Sequence, residues 1–204
     1  MNTVTKVVSI YTEATPNPAT MKFVVNYMLL PQNSADFPTP ESAKGIAPLA
    51  EALFSNFDYV SGVFIMNNFV TVTKKSDSID WFDIVAPLRD FIRTYISEGG
   101  EIVNAAALQT KFAADPDANP NAITEEDSEV VIKIKDLLVK YVQPAVEMDG
   151  GAIVFRSFSN GVLTLGMQGS CSGCPSSTIT LKAGIEGMLK RMIPDVKAVE
   201  AEMM

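Results

Sequence analysis

Cys171 and Cys174 are the only cysteines in a chain of 204 residues that has no histidine at all. Two thiols three positions apart suit a local metal site or dithiol exchange better than a long-range disulfide. Without an imidazole there is no Ser-His-Asp triad, no Cys-His pair and no His-ligated zinc. The thiols lie in Gln168-Gly169-Ser170-Cys171-Ser172-Gly173-Cys174-Pro175. Its small residues let the backbone wrap closely around a ligand, and Pro175 suits the first position of a helix. A helix start offers unpaired N–H groups and the positive end of a dipole, which favours ionised sulfur and anionic clusters.

Two chemistries fit that loop. Thioredoxin-like dithiol–disulfide exchange uses strand, CxxC and helix, but only 30 residues follow Cys174. They supply one helix and at most one strand, too little for a thioredoxin domain. Structural zinc and iron-sulfur clusters take four ligands, and one chain offers two thiols. Two chains related by a two-fold axis offer four, so a cluster shared across a homodimer is expected at Cys171 and Cys174. A cluster held by exposed loops would be labile, which suits delivery better than electron transport. A dithiol oxidoreductase and a zinc-stabilised interaction module stay open as alternatives.

The elements that must position these thiols form two small α+β domains. Residues 115–129 hold six acidic side chains, no basic ones and two prolines, a composition that buries no core. Residues 1–114 carry 8 basic and 11 acidic side chains, and residues 130–204 carry 8 and 7. The expected division is a domain over 1–98, a linker over 99–124 and a thiol-bearing domain over 125–204. In the first, strands are predicted over Val7–Thr12 and Met21–Met28 around Pro16-Asn17-Pro18, then a helix over 41–56. A hairpin turning at Asn67-Asn68 follows, and then a helix capped by Ser78, giving ββαββα. In the second, Thr124 and Asp127 are spaced like a capping box. The helix they open ends at Gly150-Gly151, a hairpin turns at Asn160-Gly161, and the CxxC enters a helix followed by an edge strand near Val196–Glu200. That order is αββαβ.

A net charge of −8 argues against a nucleic-acid footprint. No apolar run approaches the ~20 residues of a membrane span, and residues 1–11 resemble neither a secretory signal nor a transit peptide. A cytoplasmic protein with neither nucleic acid nor membrane as partner is expected. Met66, Met148, Met167, Met188 and Met192 are read as core fillers.

Asp149-Gly150-Gly151, the run from Cys171 to Glu186 and Ile193-Pro194-Asp195-Val196 resemble the C-terminal domain of NifU-like (Nfu-type) iron-sulfur scaffold and carrier proteins. Upstream, Thr15 to Phe23, Pro48 to Phe54, Gly62 to Phe64 and Phe69 to Trp81 are similar to the Nfu N-terminal domain. The resemblance implies a non-enzymatic protein that takes a [4Fe-4S] cluster, or alternatively [2Fe-2S], on Cys171 and Cys174 as a homodimer. It implies partners too: upstream assembly proteins and apo-protein clients.

Overall fold

The computed structural model describes residues 7–114, 123–172 and 175–203. The chain divides into two compact units, Met1–Lys111 and Phe112–Met204, and each is α+β.

The first unit contains β1 (Ile10–Ala14), β2 (Thr20–Val25), β3 (Leu30–Phe37), α1 (Pro40–Ala43), α2 (Pro48–Asn56), β4 (Val60–Asn67), β5 (Phe69–Lys74), α3 (Trp81–Ser97) and most of α4 (Ala105–Ala114), which runs past the division at Lys111. Its strands form one antiparallel sheet in the order β1-β2-β5-β4-β3. Phe23, Phe64, Leu49, Leu53, Leu88 and Ile92 are completely buried in its core. Asn67 takes the positive φ of the β4–β5 turn, at +48°. The N-cap of α3 is Asp80 rather than Ser78: its carboxylate accepts from the Phe82 N–H at 2.9 Å, while the Ser78 and Ser76 hydroxyls bond each other.

Three departures from the predicted ββαββα have local causes. β3 was not foreseen because Leu30, Ala35 and Phe37 are too sparse to show a two-residue period. As an edge strand it accommodates Pro31, and Asn33 (φ +65°) lies where its register shifts. The single helix over 41–56 is two, α1 and α2, because Gly45 leaves the helical region at φ +71° and Pro48 starts afresh. Part of the stretch read as linker is helical as well. Asn104 opens α4 by accepting from the Ala107 N–H at 3.0 Å, its own N–H bonds the Ile46 carbonyl at 2.8 Å, and Leu108 is buried.

The second unit runs α5 (Glu129–Leu137), a π-helical turn (Leu138–Val142), α6 (Gln143–Met148), β6 (Gly151–Ser159), β7 (Val162–Gly169), α7 (Pro175–Met192) and β8 (Ala198–Met203). The sheet order is β6-β7-β8, with β6 and β7 antiparallel and β7 and β8 parallel across the α7 crossover. Asn160 and Gly161, both at positive φ, make the two-residue turn foreseen between Ser159 and Val162. Ser128, not Thr124, caps α5, accepting from the Val131 N–H at 3.4 Å.

Ile134, Leu138, Val142 and Val146 are buried at a constant spacing of four. In a regular helix of 3.6 residues per turn, such a stripe drifts by about 120° over three steps. The π turn takes up one extra residue, about 100°, and keeps all four on the core. Pro144, which has no N–H to give an α-helical bond, stands two residues after the turn, in the first turn of α6. Met167 is fully buried as expected, whereas Met148 and Met192 are exposed.

Candidate metal centre

β7 delivers its last residue, Gly169, to a tight reversal at φ +61°, and Cys171 follows two residues later. The Cys171 N–H bonds the Gln168 carbonyl at 3.3 Å, and the Ser172 N–H and hydroxyl both bond the Gly169 carbonyl, at 3.1 and 3.0 Å. These bonds hold Cys171 at the C-terminal end of the sheet, ahead of α7. Cys174 and Gly173 lie outside the described residues. Among the described residues no three His, Cys, Asp or Glu side chains gather into a metal-binding group.

A second segment forms the other wall. Asp149 caps the C-terminal end of α6, Gly150 turns the chain at φ +83°, and Gly151 opens β6 opposite Gly169. The Ser170 hydroxyl donates to the Asp149 carbonyl at 2.6 Å and the Ser170 N–H to the Gly150 carbonyl at 3.2 Å. A Cβ on Gly151 would lie 2.7 Å from Cys171 Sγ. Asp149-Gly150-Gly151 is therefore the helix-to-strand turn read from the sequence and also the wall against which the thiol packs. Two glycines suggest a turn in any sequence, and only the register of β6 with β7 reveals that close approach. Ser170, buried and doubly bonded, had no sequence signal beyond its small size.

Cys171 belongs to the core of the second unit, alongside Ile153, Met167 and Ile185. Burial raises its thiol pKa from 9.0 to about 11, and the Asp149 carboxylate adds to the rise. The sequence expectation of ionised sulfur at a helix start is thus reversed for this residue. Desolvation outweighs any favourable dipole, and Cys171 is a neutral thiol near pH 7. A bound metal ion would supply positive charge that offsets this penalty, since a coordinating thiol is deprotonated outright.

Two family models cover most of the chain: the scaffold protein Nfu/NifU N-terminal domain over residues 10–99, and the NifU-like domain over 134–200. The chain belongs to the Nfu/NifU-like family. It is 43% identical to NifU-like protein 4, mitochondrial, of Arabidopsis thaliana over 95% of this chain and 65% of that one. It is 39% identical to the human NFU1 iron-sulfur cluster scaffold homolog, mitochondrial, over 95% and 72%. The second Arabidopsis relative, NifU-like protein 5, mitochondrial, is 42% identical over 95% and 67%. The chain thus spans about two thirds of the length of these relatives. The solution structure of a NifU-like protein from Saccharomyces cerevisiae aligns with a TM-score of 0.45 at 23% identity, over 52% of this chain and 91% of that one.

These relatives overturn the cytoplasmic expectation. All three are named as mitochondrial, which points to that compartment for this Nfu/NifU-like chain. A targeting segment is an address outside the fold, so the composition of the folded units carries no trace of it. Among the described residues no helix is long and apolar enough to cross a membrane.

Proposed function

We propose that the chain is a scaffold and carrier of iron-sulfur assembly rather than an enzyme, with the cluster as cargo. Its ligands are Cys171 and Cys174, the cargo is [4Fe-4S], and two copies bridge it with four thiolates. Upstream assembly proteins load it and apo-proteins receive it. The domain over 125–204 carries the cluster, and the domain over 1–98 engages partners. The observation that carries this reading is the NifU-like match over 134–200, which encloses Cys171 at the β7–α7 turn. The buried glycine wall beside Cys171 supports it further.

The chemistry divides simply. The bound cluster contributes exchangeable iron–thiolate bonds, while the chain holds Cys171 against the Asp149-Gly150-Gly151 turn and keeps it neutral until metal arrives. The dithiol–disulfide alternative gains nothing from Cys171, because a thiol raised to about 11 is a poor nucleophile near pH 7.

The test is substitution. Cys171→Ser and Cys174→Ser, each alone, should abolish stoichiometric iron and sulfide binding and the activation of a purified apo-[4Fe-4S] enzyme. Variants that keep both would contradict the proposal, as would turnover in an insulin-reduction assay without iron.

A further inference from the structure

Cys171 is held from two directions, and one of the holds reaches across the fold. Ser172 bonds within its own turn, to Gly169. Ser170 reaches another segment: its hydroxyl donates to the Asp149 carbonyl at 2.6 Å and its N–H to the Gly150 carbonyl at 3.2 Å. It is 3% exposed, so water cannot readily replace a lost bond there. We infer that Ser170 is a positioning residue for cluster binding, its hydroxyl pinning the Cys171 turn onto the Asp149-Gly150-Gly151 turn so that the sulfur already stands in its ligating pose before metal arrives. This inference rests on the proposed cluster-binding function.

A hydroxyl has one proton, and a carbonyl can only accept. Ser170 therefore spends its proton on Asp149, and the bond joins the two turns. Without it, the Ser170 N–H bond of 3.2 Å to the Gly150 carbonyl still links the two turns. That bond and the β6–β7 ladder preserve the fold, so the loss falls on the pose of Cys171. Preorganisation of this kind lowers the ordering cost of binding.

The experiment compares Ser170→Ala with Ser170→Thr, which retains the hydroxyl, in the full chain. Each is made alone, for reconstitution, and with Cys174→Ser, so that Cys171 alone is alkylated. The first readout is the rate of iodoacetamide modification of Cys171 in the metal-free protein at fixed pH. The second is the visible circular dichroism of the reconstituted cluster and its half-life against a chelator. Thermal melting serves as the control for folding.

Ser170→Ala should raise the alkylation rate about tenfold, shorten the cluster half-life about tenfold and alter the dichroic bands, with melting little changed and Ser170→Thr close to the parent. If Ser170→Thr does not fold, the comparison of the folded Ser170→Ala with the parent decides alone. Parent-like rates in Ser170→Ala would overturn the inference, and so would equal losses in a folded Ser170→Thr. A parent protein that takes up no cluster would instead overturn the proposed function, and the alkylation readout would still judge Ser170.

Discussion

Gly151 Cα faces Cys171 Sγ so closely that a Cβ at position 151 would lie 2.7 Å from the sulfur, 2.7 Å from the Gln168 carbonyl oxygen and 3.0 Å from the Cys171 nitrogen. Two of those three neighbours are backbone and have nowhere to go. Gly151→Ala should therefore destabilise the second unit by about 1–3 kcal/mol through overpacking. It should also displace Cys171. Denaturant unfolding checks the first effect, and iron content after reconstitution checks the second.

The thiol itself carries a pH signature. Burial lifts Cys171 from 9.0 to about 11, so the folded metal-free chain holds its proton through a range where an unfolded cysteine gives it up. The stability this contributes is complete below about pH 8.5 and is lost as pH rises through the folded value. In a Cys174→Ser chain the alkylation rate should keep climbing to about pH 11 instead of levelling near 9. Stopped-flow or mass-spectrometric kinetics across pH 7–11 would read it.

Acid should act through two carboxylates. Asp127 is held below the usual range chiefly by its hydrogen bond to Lys135, at 2.8 Å, and Glu186 by its bond to Lys190, with a further bond to the Val199 N–H at 3.0 Å. Each folded value lies below the unfolded one, so each contribution is complete above about pH 4–5 and disappears as pH falls through the lowered value. The partner of Asp127 is buried, and its ammonium also lies over the Phe155 ring at 5.0 Å. Asp127→Asn should lower the melting temperature at pH 7 and flatten its decline between pH 5 and 2. Melting curves of parent and variant over that range would show it.

Leu138, completely buried at the start of the π turn, offers a test of the stripe that the turn keeps on the core. Leu138→Ala should cost about 2–5 kcal/mol, measured by urea unfolding of the second unit.

What the sequence made legible follows from where the physics is local. The Asn160-Gly161 turn and the helix after Pro175 are set by residues within a few positions of one another. β3 is held by its partner β4, a long-range pairing that leaves little period in Pro31-Gln32-Asn33-Ser34. The cap of α5 was placed four residues early because Asp127 does reach back to the Thr124 N–H, at 2.8 Å, mimicking a helix start. Cys171 was identified by type and spacing, but its protonation was not: a helix start argues for thiolate, and only the packed core around the sulfur reverses that. The walls made by Gly151 and Ser170 required the register of β6 against β7.

The most direct test of the account is anaerobic reconstitution followed by iron and sulfide analysis and mass determination on the same sample, before and after cluster removal. The account predicts a brown protein with about four iron and four sulfide per two chains, matching four shared thiolates, and dimeric while the cluster is bound. A colourless, iron-free chain that resists reconstitution would contradict it, as would a full cluster on a single chain.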